Sequence, residues 1–470
     1  MGTISSAFSI ITKALDADQS ALSIVANNVA NANTTGYTRE IANFQETDPI
    51  EVNDLSYGTG VTETGPTSVR DSVLEERLAQ QQQLASASGA RLTALNTMQA
   101  LFTPASGSSS STAGDIGSDI TSFFDSFSSL EANPTDNSLR QQVLSSAATL
   151  SGDVSNAAAS LNSQQAALDQ EAAGVTSQVN ALTSAIAQLN QQIQSTSAGG
   201  DAGTLEDQRE QDLSQLSQSI GINRITGDDN GLSITTASGQ LLVAGGTSFQ
   251  MTSGKINGVT HFFVGTTDVT SQLASGGGEL GGYLTARDQD IPNVLASLDQ
   301  LAYDVSTQVN TLNNAGTDLD GDNGNAGNIF SQPTQVAGSA AAMSVTMTDP
   351  NRIAAAGLGQ GTGDNSNATA MAGLANQTIV NGQTPTDFFS NMVTVLGSTV
   401  SGVQAENTAQ NASVTQLQTQ DNALSSVNLN DEASNMQQFE RSYQAASQVF
   451  TMLDTIMASV LNLGDTTAVS

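Results

Sequence analysis

The sequence of 470 residues contains no cysteine and no tryptophan, and its only histidine is His261. Without cysteine the chain has no disulfide, no thiolate nucleophile and no zinc site that requires cysteine ligands. A single histidine cannot form a multi-histidine metal site, and it leaves few routes to a catalytic triad. These absences predict a protein that is not an enzyme and that uses no metal or other cofactor.

Basic residues are also scarce, since 12 Lys and Arg stand against 45 Asp and Glu and give a formal net charge of −33. A chain this negative repels phosphate backbones, so we expect no nucleic-acid partner. No run of 18 apolar residues is present, which predicts no membrane span. Residues 1–20 lack the continuous hydrophobic region of a Sec signal peptide, and we expect none there.

Residues at alternating spacings of three and four are apolar at both ends of the chain, except for Asp18 in the N-terminal series, and the C-terminal series includes Ala446. A stripe this narrow is typical of a coiled-coil helix rather than of a globular surface helix. Such helices are marginal in water alone, so each needs a partner, either in its own chain or in another subunit. We predict two assembly helices that become ordered on incorporation. The N-terminal seam comprises Ile4, Phe8, Ile11, Leu15, Leu22, Val25 and Val29, and the C-terminal seam comprises Met436, Phe439, Tyr443, Phe450, Leu453, Met457 and Val460.

A third apolar series occupies the middle of the chain. Between Val154 and Ile193 eleven of twelve heptad positions are apolar when alanine is counted, and the exception is Gln165. The series predicts one long helix. Shorter helical patterns cover residues 74–102, 291–312 and 393–424, whereas the Ser/Gly-rich segments 104–118 and 196–203 are predicted loops.

Strand patterning appears only between about residues 222 and 282, in short runs separated by Gly-containing turns. Residues 314–375 are rich in Gly, Asn and Ala, and we expect them to complete the same β-domain with a strand at 343–347. The predicted fold is mainly α with a β insert, with N- and C-terminal coiled-coil helices, a central long-helix bundle and a small antiparallel β outer domain. The predicted domains are a terminal axial core (1–40 with 425–470), a helical bundle domain (41–221 with 283–313 and 376–424) and a β-rich outer domain (222–282 with 314–375).

One acidic segment has the alternation of a calcium-binding loop. Asp318, Asp320 and Asp322 alternate along it, but an EF-hand needs Gly and Glu at the positions of Asn323 and Ile329. A turn is therefore the favoured interpretation. A secreted acidic calcium-binding adhesin is kept as a distant alternative.

The N-terminal seam runs into an Asn-rich motif, in which Asn and Gly are expected to supply the turn and left-handed conformations that end the helix. This motif resembles the N-terminal motif of bacterial flagellar rod, hook and hook-associated proteins, and residues 429–446 resemble their C-terminal motif. Internal segments at 123–141, 205–213, 281–288 and 298–310 are similar to those of the hook-associated proteins of the hook–filament junction. The chain departs from them at Asn313-Asn314, where such proteins commonly carry a His. The motif residues are Asn27, Asn28, Asn31, Asn33, Gly36 and Tyr37.

The resemblance implies a structural adaptor at the hook–filament junction, on the extracellular flagellum at the distal end of the hook. It implies self-association in a ring and contacts with the hook protein and with the next hook-associated junction protein. It further implies secretion by type III export, with a cytoplasmic export chaperone at the C-terminal helix. The nearest alternative is a flagellar hook or rod subunit.

Overall fold

The computed structural model describes residues 2–52, 55–103, 116–197, 202–227 and 231–465. Most of the two predicted Ser/Gly-rich loops lies outside these ranges. The prediction of a mainly α fold with a β insert is confirmed. The helices are α1 (Gly2–Asn31), α2 (Ser72–Leu101), α3 (Ile116–Ala132), α4 (Asn137–Ser197), α5 (Gly203–Ser219), α6 (Thr270–Gly276), α7 (Gly278–Thr285), α8 (Ile291–Ala315), α9 (Ser339–Ala342), α10 (Ser366–Gly373), α11 (Pro385–Ser425) and α12 (Leu429–Asp465).

Short polar side chains begin the long helices. The Asp71 carboxylate accepts the amides of Val73 and Leu74 at the start of α2, and Thr384 Oγ1 accepts the Asp387 amide at the start of α11. These bonds satisfy backbone donors that have no partner inside the helix. The long apolar series of the sequence falls within α4, which has 61 residues.

A β-hairpin follows α1, where the sequence analysis predicted no strands. Strands β1 (Glu40–Glu46) and β4 (Val61–Ser68) pair antiparallel, and the shorter β2 (Ile50–Val52) and β3 (Leu55–Tyr57) extend the hairpin. Its alternation is weak because a bulge interrupts the register between Ala42 and Phe44 and few of its residues are buried. The expectation of strands only at about residues 222–282 and at 343–347 was therefore wrong.

The predicted β region does contain two antiparallel sheets. Their strand orders are β5-β6-β7-β8 and β11-β10-β9, and α6 and α7 follow them. Asn257 and Gly258 turn the chain between β9 and β10 with positive φ angles of 50° and 88°. The strands are β5 (Ile222–Thr226), β6 (Leu232–Thr236), β7 (Leu241–Ala244), β8 (Thr247–Ser248), β9 (Met251–Ile256), β10 (Val259–Val264) and β11 (Thr267–Asp268).

Buried apolar side chains form two clusters, which we name core 1 and core 2. Core 1 joins the last part of α2, α3, the first part of α4, α8, residues 329–380 and α11, and includes Phe123 and Phe330. Core 2 joins the second part of α4 to α5, the two sheets, α6 and α7, and includes Phe262. Helix α4 thus contributes to both cores, and the change falls between Leu168 and Ala172.

Residues 314–375 pack in core 1, not beside the two sheets with which the predicted domains grouped them. The rings of Phe330 and Phe123 lie 5.3 Å apart, and the predicted strand at 343–347 is only an isolated bridge between Phe330 and Val345. Arg140 of α4 is 1% exposed and donates to the carbonyls of Pro350, Asn351 and Ile353. A segment without periodicity carries no sequence signal for such long-range contacts.

None of the helices in the described ranges has the length and hydropathy needed to cross a bilayer.

Candidate assembly interface

The two terminal helices pack against each other, so the seam residues of both chain ends meet on one helix pair. The clearest contact is between Phe8 and Phe450, whose ring centroids are 5.1 Å apart in an edge-to-face arrangement. Such aromatic pairs contribute about 0.5–1.5 kcal/mol beyond the area they bury. The role of the seam residues in assembly stays a prediction.

Much of the C-terminal seam remains exposed to solvent after α1 and α12 pair within one chain. Tyr443, Phe450, Met457 and Val460 are 39%, 36%, 38% and 46% exposed. Met436, Phe439 and Leu453 are half-buried. On α1, Val25 is buried and Val29 is exposed, whereas Ile4, Phe8, Ile11, Leu15 and Leu22 are half-buried.

A second apolar row on α12 was missed by the sequence analysis. Val449, Met452 and Ile456 are 42%, 62% and 44% exposed, and each precedes a seam residue by one position. Their three-and-four spacing was visible in the sequence. Two adjacent apolar rows give a wider face than one intramolecular partner covers.

The hairpin covers another side of α1. The Lys13 ammonium donates to Thr47 Oγ1 at 3.4 Å and to the Thr59 carbonyl at 3.3 Å. Phe44 reaches α12, where its ring centroid lies 6.2 Å from that of Phe439. The hairpin, α1 and α12 therefore form one packed unit, which we name the terminal unit.

One buried side-chain amide of the Asn-rich motif, that of Asn28, connects the parts of the terminal unit. Asn28 is 1% exposed, and its Nδ2 donates to the Glu40 carbonyl at 2.8 Å and to Glu432 Oε2 at 3.3 Å. Its Oδ1 accepts from the Glu40 amide at 3.0 Å and from the Tyr37 hydroxyl at 2.8 Å. Arg39 Nε donates to the other Glu432 oxygen at 2.7 Å. We call these five residues the terminal clamp.

The clamp raises the pKa of Tyr37 above its usual range. Burial of the phenol is the main cause, and the carboxylates of Glu40, Asp207 and Glu432 add to it. The phenol therefore stays protonated and remains a donor to Asn28.

Backbone bonds from the motif tie the terminal unit to the rest of the chain. The Thr38 amide donates to Asp207 of α5 at 3.1 Å, and the Arg39 amide donates to the Ser425 carbonyl at the end of α11 at 2.8 Å. Gly36 has a φ of +78°, a backbone conformation that residues with a side chain rarely adopt. Gly36 thus supplies the left-handed turn that the sequence predicted.

The asparagines act differently from the prediction. Asn27, Asn28 and Asn31 lie inside α1. None of them has a positive φ, so they do not supply the left-handed conformation that ends the helix. Asn31 Nδ2 donates to Asn27 Oδ1 at 2.9 Å, and Asn33 is exposed beyond the helix end.

A cavity of about 530 Å³ lies between the motif, α2, α5 and the end of α11. Carboxylates outnumber cations in its wall, where Arg70 pairs with Asp207 and with Glu75. Burial, followed by repulsion from Glu210, raises the pKa of Glu75 from 4.5 to about 7.

The acidic segment at 318–322 forms a turn. Asp318 Oδ1 accepts the Asp322 amide at 2.9 Å, and Gly321 has a φ of +87°. Within the described ranges no group of three His, Cys, Asp or Glu is arranged to hold a metal ion. His261 lies on β10 beside Asp268, at 2.7 Å from Nδ1 to Oδ2.

Two family models match the chain. Residues 106–330 match the model "Flagellar hook-associated protein FlgK helical domain", and residues 10–38, which contain most of the Asn-rich motif, match "Flagella basal body rod protein". The chain is also similar in fold to the flagellar hook junction protein FlgK from Burkholderia pseudomallei, with a TM-score of 0.64 at 18% identity. That match covers 73% of this chain and 99% of the other.

Two curated relatives align from end to end. Flagellar hook-associated protein 1 of Bacillus subtilis is 27% identical, with 96% of each chain covered. The protein of the same name from Escherichia coli is 24% identical, with 96% of this chain and 98% of the relative covered. The rod-protein model, in contrast, matches only one terminal segment. Together with the helical-domain match over residues 106–330, these alignments show that the chain is similar to flagellar hook-associated protein 1 over 96% of its length.

Proposed function

We propose that this chain is a structural adaptor at the hook–filament junction of the bacterial flagellum, and that it assembles through its terminal helices after type III export. The observation that carries the proposal is the end-to-end alignment with hook-associated proteins 1. The C-terminal helix α12 lies within this alignment. Its apolar rows between Tyr443 and Val460 remain exposed to solvent when α12 pairs with α1.

The proposed partners follow from this role. Copies of the chain associate in a ring, and the ring contacts the hook protein on one side and the next hook-associated junction protein on the other. Before export, a cytoplasmic chaperone covers α12, because an apolar face of this width favours aggregation when it is left in water. The mature protein then lies outside the cell, at the distal end of the hook.

The test compares two charged substitutions on α12. Phe450→Asp places a carboxylate on the apolar seam, and Gln448→Asp places the same charge on an exposed polar position two residues away. Each variant replaces the wild-type protein in the source bacterium. We expect Phe450→Asp to prevent incorporation into flagella and Gln448→Asp to retain it, while circular dichroism of both purified variants shows folded helices.

Immunolabelling of isolated flagella supplies the second measurement. The proposal expects label at the distal end of the hook. Label along the whole hook or in the rod would overturn the junction role, and normal incorporation of Phe450→Asp would overturn the role of the seam.

A further inference from the structure

Core 1 and core 2 do not merge where they meet. Two segments of the chain contribute residues to both cores. Each of them changes from one core to the other at the same level of the structure, the boundary between the two clusters. On α4 the change falls between Leu168 and Ala172, and on the segment from α7 to α8 it falls between Leu284 and Ala286. Contacts between fully buried apolar side chains are therefore interrupted on both segments, whereas the half-buried Tyr283 of α7 packs against both cores.

Polar side chains fill this level. Gln165, the single polar position in the apolar series of α4, donates from Nε2 to the Arg287 carbonyl at 2.9 Å. Its neighbour Gln164 donates from Nε2 to the Ala94 carbonyl of α2 at 2.7 Å. The one irregularity of the heptad pattern thus lies at the boundary of the two cores.

The centre of this level is a buried cation. The Arg287 side chain is only 2% exposed, and it donates to Asp169 Oδ1 at 2.7 Å and to both oxygens of Asp288 at 2.7 and 2.8 Å. Asp169 Oδ2 accepts from Thr260 of β10 at 2.9 Å, which joins the sheet to the same group. Arg91 of α2 makes two parallel bonds to Asp290, at 2.8 and 2.9 Å.

The backbone changes at the same level. Residues Ala286–Asp290 form a π-helical turn between α7 and α8, in which the Ile291 amide donates to the Ala286 carbonyl five residues before it. A π-turn inserts one extra residue into the helix and offsets the hydrogen bonds on its two sides. Core 1 and core 2 are thus separated in both side-chain packing and helix register. We name Arg91, Gln164, Gln165, Asp169, Arg287, Asp288 and Asp290 the polar layer.

We infer that the polar layer is a joint that divides the chain into two cooperative units, of which the one built on core 2 opens first. Continuous apolar packing couples neighbouring elements because opening one exposes the surface of the other. Across the polar layer that coupling is replaced by hydrogen bonds, which water replaces when the layer opens. Core 2 is smaller than core 1, so its unit has the lower opening free energy.

Native-state hydrogen exchange of the full chain tests the joint. We expect amides of β6 and α5 to have opening constants at least about tenfold larger than those of α3, with a smaller dependence on denaturant. Equal opening constants and equal denaturant dependence in α3 and β6 would overturn the inference, because they show a single cooperative unit.

A double variant tests the layer itself. Gln165→Leu with Arg287→Met replaces the centre of the layer with apolar side chains of similar size. The carboxylates of Asp169 and Asp288 lose their cation, but they are 29% and 35% exposed and are solvated by water, unlike fully buried carboxylates. We expect the difference between the two units to shrink to about twofold, because apolar packing becomes continuous. Gln170→Leu, an exposed position of α4 outside the layer, is the matched control and should leave the wild-type difference in place. An unchanged difference in the folded double variant would overturn the assignment of the joint to this layer. If the double variant fails to fold, the wild-type exchange measurement decides the inference alone.

Discussion

The terminal clamp predicts that one buried carboxylate controls how firmly the two chain ends are docked. The Glu432 side chain is 1% exposed, and its two oxygens accept from Arg39 and from Asn28. Glu432→Gln keeps the shape of the side chain but replaces one acceptor oxygen with an NH2 group. That NH2 group then faces a donor, either Asn28 Nδ2 or Arg39 Nε, and cannot accept from it. Arg39 also loses its ion pair.

The magnitude follows from the burial of the two partners. Hydrogen bonds to charged groups contribute about 1.5–3 kcal/mol, and breaking a fully buried pair costs about 3–5 kcal/mol. Arg39 is 25% exposed, so water relieves part of the loss on its side. We expect the opening free energy of the terminal unit to fall by about 2 kcal/mol, which corresponds to about 30-fold faster amide exchange.

The assay is hydrogen–deuterium exchange of the purified full chain, followed in α1, in β1 and in the first turns of α12. Exchange in α3 and α4 should not change, because Glu432 touches neither helix. Glu440→Gln, an exposed position on α12, is the control and should exchange as the wild type does. The reasoning is refuted if α1 and α12 exchange equally fast in the Glu432→Gln variant and in the wild type, or if the acceleration spreads evenly through core 1.

Two further predictions concern stability. Gly282→Ala should lower the free energy of unfolding by about 1–3 kcal/mol, because the new Cβ would lie 2.2 Å from the Ala87 carbonyl oxygen and force α7 away from α2. The free energy of unfolding is measured by urea titration. Gly174→Ala, whose new Cβ has no atom within 4 Å, is the control and should raise the free energy of unfolding by about 0.5–1 kcal/mol. Equal effects of the two variants would contradict the packing argument. The pKa of Glu75, raised from 4.5 to about 7, means that the folded state binds this proton more tightly than the unfolded state. The bound proton therefore contributes about 2–3 kcal/mol to the free energy of unfolding below about pH 4.5, and this contribution is lost as the pH rises through 7. Glu75→Gln should remove the resulting pH dependence of the free energy of unfolding, as measured by denaturation curves between pH 5 and 8.

Periodicity made the helical part of this fold predictable. The terminal seams and the series from Val154 to Ile193 each specify one face of a helix through local spacing alone, and the structure has helices at all three places. The hairpin after α1 was missed because its strands are mostly exposed and interrupted by a bulge, so alternation is weak. Residues 314–375 were misplaced because a Gly- and Ala-rich segment gives no indication of which core it joins.

The clamp could not have been predicted from spacing. Asn28 and Glu432 are 404 positions apart, and only the closed chain brings them together. A sequence shows that an Asn can end a helix, but not that its amide is buried against the opposite chain end. The Asn-rich motif therefore includes Asn28 and Tyr37 of the clamp, but the helix-ending role expected for its asparagines differs from the role of Asn28 in the structure.

The chemistry of Asn28 explains why an amide suits this position. A primary amide donates and accepts at once, and here its oxygen accepts the Glu40 amide while its nitrogen donates to the Glu40 carbonyl. A carboxylate could not donate and would face Glu432, and an alanine would remove both bonds to the Glu40 backbone. The same amide donates to Glu432, so the turn after α1 and the start of α12 depend on one side chain. Docking is thus fixed by polar groups at one end of the helix pair, whereas the apolar rows farther along α12 remain exposed in the single chain.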